Sequence, residues 1–364
     1  MKRIYLLLTI VMMVAVSYVP MAAAAPAWQQ EWEKVLAAAK KEGTVAVIGV
    51  AGRQLQDTLT LPFEKKYGIK VEYVAGRGSE IGPKLKTERD AGKFLWDVTV
   101  SGPATSLTVM LPGGMIDPIE PALLLPEVKD PKYWRGGQIE YVDAGKRILL
   151  MMLTQRGTLA VNPKVVKPDS ITSYKDLLNP KFKQKILIDD PTMAGPGQAT
   201  FTFFYLHPEL GPNFIRALAK QEPTVSKDWN QELEGVAKEK FLVLIGVFDA
   251  FVEERIAAGV PVAIIDPRKI KEGSDINSTA GTLSIFNRAP HPNAAKVYIN
   301  WVLSKEVQTD FARLNSNIST RLDVPTDHAP RLVPLPKAIK TYTQAAQDVK
   351  GDMIAVFKEA FSLR

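Results

Sequence analysis

The chain has 364 residues, no cysteine and a formal net charge of +7 at pH 7. The absence of cysteine excludes disulfides, cysteine-ligated metals and a lipid-modified N-terminal cysteine. Lysine and arginine form no dense block and do not alternate with aromatic residues, so the sequence does not predict nucleic-acid binding.

The first residues have the three-part pattern of a secretory signal peptide. Lys2 and Arg3 provide the basic start, an apolar run follows over residues 4–19, and the alanine-rich stretch at 22–27 predicts the cleavage site. The alternative is an N-terminal membrane anchor, but the run is shorter than the about 20 apolar residues that span a bilayer. We therefore expect residues 1–27 to be removed and the mature protein to be periplasmic, with no lipid anchor.

Residues 28–101 alternate between helical and strand patterns. Helices are expected at 28–41, 55–67 and 83–91, and strands at 44–50, 69–74 and 96–100. The strand at 44–50 is continuously apolar, which is typical of a strand buried on both faces. This β-α-β-α-β order predicts a mainly parallel sheet with helices on both faces.

In such a sheet, ligands bind beyond the carboxyl ends of the strands. Three glycine-containing turns are expected there, and they contain Gly52 and Arg53, then Arg77, Gly78 and Ser79, then Ser101 and Gly102. The glycines at 76, 78 and 82 differ by one residue from the spacing of the dinucleotide motif G-x-G-x-x-G, and no phosphate-binding Lys-Ser/Thr motif is present. We therefore expect no cofactor.

Two interpretations of these turns stay open. Backbone N–H groups at the helix starts, the Ser79 hydroxyl and the guanidinium groups of Arg53 and Arg77 are suited to bind anionic oxygens. Alternatively, the glycines supply positive φ angles, and the two arginines are solvated or paired with Asp57 or Glu80.

A second alternating series begins near Leu159. It predicts helices at 173–178, 199–206, 212–220 and 230–238, and strands at 185–190, 241–245 and 260–266. The loop before the second of these helices contains Gly195, Gly197 and Gln198, and it would turn another helix N-terminus toward the first series. We therefore predict two α/β lobes with a ligand cleft between them.

Two side chains of the second series are further candidates for the cleft. Trp229 precedes a helix and would form a wall beside the apolar part of a ligand, with packing in the core or on the surface as the alternative. Asp249 follows an apolar strand and would bind a ligand amine, with helix capping as the alternative.

Several short motifs occur in order along the mature chain, at 39–45, 63–71, 91–98, 113–119, 287–295 and 301–308. They read AKKEGTV, FEKKYGIKV, AGKFLWDV, GGMIDPI, NRAPHPNAA and WVLSKEVQ. By these motifs the chain resembles the periplasmic substrate-binding proteins of ABC importers, in the group that includes the ferric-iron binding proteins.

The resemblance implies a type II-like periplasmic-binding-protein fold, in which two lobes joined by crossing strands close on a ligand. It implies a discontinuous lobe 1 at 28–155 plus 275–364, and a lobe 2 at 156–274. It also implies that the protein has no catalytic residues and works as a monomer that delivers its solute to an inner-membrane ABC permease.

One departure from the family concerns the ligand. The iron-binding members use two adjacent tyrosines, whereas the corresponding segment at 246–252 reads GVFDAFV. His207, His291 and His328 each lie in or beside a proline-containing turn, which is more typical of the surface than of a metal site. We therefore expect no metal and a small anionic solute with a carboxylate, phosphonate or phosphate group, with ferric iron as the alternative.

A secreted hydrolase is the alternative from another functional class. The sequence contains neither G-x-S-x-G nor H-E-x-x-H. Asp189 and Asp190 form an acidic pair at a strand end, but adjacent residues of a strand point to opposite faces. Joint catalysis by these two carboxylates is therefore not expected.

Overall fold

The computed structural model describes residues 26–50, 52–76, 78–193, 195–247, 249–278, 280–335 and 338–362. Nearly all of the predicted signal peptide, and also Arg77, lie outside these residues, so both stay predictions. In the part of the chain that is described, no helix is long and apolar enough to cross a membrane.

The strands are short and are distributed along the whole chain. In order they are β1 (Thr44–Gly49), β2 (Lys70–Ala75), β3 (Val98–Ser101), β4 (Ile116–Asp117), β5 (Leu149–Leu150), β6 (Met152–Gln155), β7 (Leu159–Val161), β8 (Ile186–Asp189), β9 (Thr224–Ser226), β10 (Val243–Ile245), β11 (Ala263–Ile264), β12 (Asp275–Asn277), β13 (Thr282–Phe286), β14 (Ile318–Ser319) and β15 (Ile339–Lys340).

Helices alternate with these strands. They are α1 (Ala27–Glu42), α2 (Arg53–Tyr67), α3 (Gly78–Asp90), α4 (Pro103–Thr105), α5 (Pro126–Lys129), α6 (Pro196–Leu206), α7 (Gly211–Ala219), α8 (Trp229–Ala237), α9 (Asp249–Ala257), α10 (Pro292–Val302), α11 (Lys305–Leu314), α12 (Gln344–Asp348) and α13 (Lys350–Ala360). The short helix α4 continues as a π-helix over Ser106–Met110.

The first lobe is built around a sheet of order β2-β1-β3-β13-β4, with β5 also paired to β13. β1 runs parallel to β2 and to β3, as the β-α-β-α-β pattern predicts. β13 runs antiparallel to β3, β4 and β5, so the sheet is mixed rather than mainly parallel. The reason is that β13 enters from the other lobe and not through the helical crossover that parallel neighbours require.

The second lobe contains a sheet of order β11-β7-β10-β8-β9. β8 runs parallel to β9 and β10, whereas β7 runs antiparallel to β10 and β11, so this sheet is mixed as well. Its main core contains several aromatic side chains, including Tyr174, Phe201 and Phe204. The ring centroids of Tyr174 and Phe204 are 4.8 Å apart in an edge-to-face arrangement, a geometry in which two aromatic rings attract each other.

A third sheet, of order β14-β6-β12-β15, joins the lobes. β6 follows a strand of the first sheet and precedes one of the second, and β12 does the reverse. The two strands pair antiparallel, with Gln155 opposite Ile276, and Gln155 Nε2 donates to Ser274 Oγ at 3.0 Å. The predicted lobe boundaries, 155/156 and 274/275, coincide with the end of β6 and the start of β12. We propose that the lobes divide at these two positions.

The end of the chain departs from the expected assignment of residues 275–364 to lobe 1. Trp301 of α10 and Phe311 of α11 belong to the core of the first lobe. Met353 and Phe357 of α13 belong instead to the core of the second, where the ring of Phe357 is 5.1 Å from that of Phe201. The last helix therefore packs on lobe 2, because its apolar side chains complete the aromatic core there.

Candidate functional site

The carboxyl ends of three neighbouring strands of the first lobe lead directly into helices. α2 follows β1, α3 follows β2 and α4 follows β3. The residues that precede α2 and α4 are Gly52 and Gly102, and in the described part of the chain no side chain caps the first turn of either helix. Because the first N–H groups of a helix lack partners within the helix, this edge of the sheet presents several backbone donors and the positive ends of helix dipoles.

The turn at Ser101 and Gly102 lies against the second crossing segment. A Cβ added to Gly102 would be 3.8 Å from the backbone N of Ala280 and 4.0 Å from the carbonyl O of Ser278. The hydroxyl of Thr282 donates to the Ser101 carbonyl at 2.7 Å, which fixes the end of β3. The structure therefore brings the predicted turn next to the strand that links the lobes.

Ser278 is a residue that the sequence interpretation missed. Its side chain is buried, and its Oγ has no hydrogen-bond partner among the described residues. A buried hydroxyl without a partner is costly, so Ser278 is a candidate to bind a polar atom of a ligand beside Gly102. It follows the short strand β12, whose sequence Asp-Ile-Asn is mostly polar, so the sequence offers no pattern that marks it.

Gly52 and Arg53 begin α2 at the end of β1. Gly52 has a φ of 122°, in a region that favours glycine. The Arg53 side chain is 94% exposed, and its Nε is 3.7 Å from Asp57 Oδ2, so the pairing that the sequence left open is present. Such exposed ion pairs contribute little to stability, so the pair with Asp57 leaves the Arg53 guanidinium accessible to a ligand. Gly78 and Ser79 are the first residues of α3.

The corresponding edge of the second lobe is organised by Asp189, at the end of β8. Its Oδ2 accepts a hydrogen bond from the Gly197 N–H at 2.6 Å. A Cβ on Gly197 would lie 2.0 Å from the Asp189 carbonyl O, so only glycine fits this approach. The amide of Gly197, predicted to bind a ligand, thus donates its hydrogen bond to a carboxylate of its own lobe. Gly195 precedes α6, and the Gln198 carbonyl accepts from Thr202 at 2.7 Å.

Trp229 also lies at this edge of the second lobe. Its Nε1 donates to the other carboxylate oxygen of Asp189, Oδ1, at 3.2 Å. Its ring is 6.1 Å from that of Phe251 on α9, and 38% of the residue is exposed. Since the strand order is β10-β8-β9, Phe251, Asp189 and Trp229 follow three neighbouring strands and form an aromatic wall with a carboxylate behind it.

Glu232 of α8 is a second carboxyl group beneath this wall that sequence reasoning did not find. Only 1% of the residue is exposed, and its Oε1 has no partner among the described residues. Burial, together with the charges of Asp189 and Asp228, raises the pKa of Glu232 to about 8. Glu232 is therefore mainly protonated at neutral pH.

Asp249, the candidate to bind a ligand amine, is engaged with groups of the protein itself. Its Oδ1 accepts from the Gly157 N–H at 2.9 Å and from Arg331 Nη1 at 2.5 Å, and Arg331 also binds Glu253. Burial raises the pKa of Asp249, although Arg331 and Arg156 oppose this shift. The carboxylate therefore links the first crossing segment, α9 and the turn at 330–332.

The acidic pair at the end of β8 does not act as one unit. Asp189 binds Gly197 and Trp229, whereas Asp190 accepts from the Thr192 N–H at 2.8 Å and lies 3.7 Å from Lys227 Nζ. Within the described ranges, no group of three or more histidine or acidic side chains is placed to hold a metal ion.

Comparison with protein families places this architecture. The model of the bacterial extracellular solute-binding protein family matches residues 58–347. An uncharacterized protein of Haemophilus influenzae is 23% identical over 279 residues, which are 75% of this chain and 77% of that protein.

Solved structures show the same two-lobed fold. The periplasmic binding protein AfuA of Actinobacillus pleuropneumoniae, with fructose-6-phosphate bound, is 19% identical with a TM-score of 0.58 and covers 88% of this chain and 99% of its own. IdiA (FutA) of Trichodesmium, in complex with iron and citrate, is 18% identical with a TM-score of 0.67 and covers 87% and 99%. At these identities the likeness establishes the fold and not the ligand.

Proposed function

Because the chain belongs to the bacterial extracellular solute-binding protein family, we propose that it is the periplasmic component of an ABC importer and captures a small organic anion. The anion carries a carboxylate, phosphonate or phosphate group. It binds between the lobes, which close around it, and the loaded protein delivers it to an inner-membrane permease. The protein performs no chemistry on the solute.

The observation that supports an anionic ligand is the set of helix N-termini on the first lobe. Three helices begin at the carboxyl ends of β2, β1 and β3, which are adjacent in the sheet. Gly52 and Gly102 leave the approach to the first turns of α2 and α4 without a side-chain acceptor. Backbone donors and helix dipoles in this arrangement favour negatively charged oxygens.

The side chains of the second lobe support a ligand in which the anionic group is attached to an organic skeleton. Trp229 and Phe251 present apolar surface, while the nearby Gly197 amide is already bound by Asp189. The anionic group therefore binds lobe 1, and the carbon skeleton contacts the aromatic wall of lobe 2. The ligands named with AfuA and IdiA include organic anions, fructose-6-phosphate and citrate, which agrees with this class.

A ligand panel tests the proposal. The mature chain, residues 28–364, is screened by thermal shift against carboxylates, phosphonates, phosphate esters, amino acids and ferric citrate. A ligand at 100 times its dissociation constant stabilises the fold by about 2.7 kcal/mol. We expect a phosphate, phosphonate or carboxylate to produce this shift. Stabilisation by ferric salts alone would instead assign the protein to iron uptake.

Gly102→Ala then tests the place of the site. Its φ of −80° is accessible to alanine, and the added Cβ makes only ordinary contacts at 3.8 and 4.0 Å, so the fold should tolerate it. Because the methyl group blocks close approach to the helix start, we expect calorimetric affinity to fall about tenfold or more, as for one lost charged hydrogen bond. Gly351→Ala, where the Cβ meets no atom within 4 Å, is the matched control. Equal affinity in both variants would remove Gly102 from the site.

A further inference from the structure

A cavity of about 640 Å³ lies on the first lobe, away from the carboxyl ends of its strands. Its lining includes Arg89 from the last turn of α3, Phe94 from the next loop and Arg288 from the turn after β13. Arg89 is eleven residues beyond Gly78 along α3, so at about 1.5 Å per residue its end of the helix is roughly 16 Å from the end at the candidate cleft. The cavity is therefore a separate place in the molecule.

Arg89 is held rigidly at the wall of this cavity. It donates to the side-chain Oδ1 of Asn287 at 2.7 Å, and to the carbonyl oxygens of Met115 and Asn287 at 3.3 Å. These acceptors are neutral, so they orient the guanidinium without compensating its charge. They also engage only some of its five N–H groups.

Arg288 brings a second positive charge to the same place. The guanidinium carbons of Arg89 and Arg288 lie 4.5 and 4.7 Å from the centre of the Phe94 ring. A cation–π contact stabilises each arginine, yet the two share one ring. Burial lowers the pKa of Arg89, and the charge of Arg288 is the next cause.

Acidic groups near the cavity do not neutralise this pair. Glu88 and Asp90 of α3 are engaged with Lys84 and Lys86. Asp117 and Glu88 act on Arg89 more weakly than Arg288 does. Over the residues that the structure describes, neither arginine forms an ion pair with a carboxylate.

We propose that this cavity binds a small organic anion, a phosphate or carboxylate on an apolar body, at a site independent of the cleft. The anionic oxygens bind between Arg288 and the remaining N–H groups of Arg89, because guanidinium groups match such oxygens with paired hydrogen bonds. The apolar body contacts Phe94, Val109 and Pro112, which also line the cavity. Its volume lies within the range of about 300–1,000 Å³ that is typical of small-molecule sites.

Nuclear magnetic resonance on the isotope-labelled mature chain tests this site with phenyl phosphate as the probe. We expect saturable amide shifts at Phe94, Gly113 and Arg288. Arg288→Gln removes one charged partner from an exposed position, so binding should weaken about tenfold or more without a change in melting temperature. Arg255→Gln is the matched control, since Arg255 lies 5.0 Å from the Phe251 ring in lobe 2, and it should leave the affinity at the cavity unchanged.

Three results would overturn the second site. They are an absence of saturable shifts at Phe94, Gly113 and Arg288, shifts confined to Ser101 and Gly102, and equal affinity of the wild type and Arg288→Gln. Shifts at Ser101 and Gly102 report the cleft, so the two sites fail or succeed separately. Inorganic phosphate should bind the cavity more weakly than phenyl phosphate, and equal affinity would refute the contact with the apolar body.

Discussion

At the scale of single residues, Glu232 shows how burial changes the chemistry of a side chain. The residue lies beneath the aromatic wall of lobe 2, and its pKa is raised to about 8 from the ordinary 4.5. In the unfolded chain Glu232 ionises near the ordinary value, so between about pH 4.5 and 8 the unfolded state binds fewer protons than the folded state. Stability therefore decreases as pH rises through this window, by up to about 1.4 kcal/mol per pH unit.

We expect Glu232→Gln to remove this contribution. The amide keeps the shape of the protonated acid and cannot ionise. Urea unfolding at pH 5, 6.5 and 8 should therefore show a shallower loss of stability than in the wild type, with the largest gain at pH 8. The control is Glu234→Gln on the same helix, because Glu234 is exposed and paired with Lys238. If the wild type and Glu232→Gln have parallel pH profiles, Glu232 is not buried as a neutral acid.

The contacts that sequence reasoning missed share one property, which is that the two partners are distant along the chain. Asp189 and Trp229 are 40 positions apart, and Asp249 and Arg331 are 82 apart. Spacing predicts neighbours within a helix or a strand, but it does not pair side chains across a fold. The position of Gly102 was predictable because it depends only on the local order of strand, glycine and helix.

At the scale of elements, the local patterns predicted the positions of the first two strands well. The apolar run at 44–50 is β1 over Thr44–Gly49, and the run at 69–74 is β2 over Lys70–Ala75. β13 was not predicted, although it lies in the middle of the first sheet. Its place depends on antiparallel pairing with β3, more than 180 residues earlier, which no local pattern contains.

The last helix also required long-range information, and it yields a prediction at this scale. Phe357 of α13 is fully buried, with its ring 5.1 Å from Phe201 and 4.2 Å from Phe361. Phe357→Ala should destabilise the protein by about 3–5 kcal/mol, as for a large core ring replaced by alanine. Urea unfolding measures this cost.

Lys358→Ala, at an exposed position of the same helix, should cost less than about 0.5 kcal/mol. If Phe357→Ala is equally mild, the last helix does not contribute to the core of lobe 2. Proteolysis of the folded variant gives a second readout, because a detached α13 would be cleaved before the rest of the chain.

At the scale of the whole molecule, the two lobes are linked by more than the crossing strands. Arg331 lies in the turn at 330–332, next to Leu332, which belongs to the same hydrophobic cluster as Ile276 of β12 and Ile48 of the first sheet. Its guanidinium binds Asp249 and Glu253 on α9 of lobe 2. Asp249 in turn accepts from the Gly157 N–H beside the first crossing. The ion pair between Arg331 and Asp249 thus joins α9 to the turn at 330–332 and to the first crossing segment.

A double-mutant cycle measures this link. Arg331 and Asp249 side chains are 19% and 16% exposed, so solvent screens their interaction only partly. We expect Arg331→Gln and Asp249→Asn each to destabilise by about 1–3 kcal/mol, and the double variant to cost less than their sum by about 1 kcal/mol or more. Arg216 and Glu359 form a control pair between α7 and α13, with 42% and 66% exposure, and should couple by less than about 1 kcal/mol. Additive effects of Arg331→Gln and Asp249→Asn would show that the contact does not stabilise the interlobe arrangement. The radius of gyration of unliganded Arg331→Gln is a second measurement. If the two substitutions are coupled and this radius differs from that of the wild type, the ion pair determines the arrangement of the empty lobes.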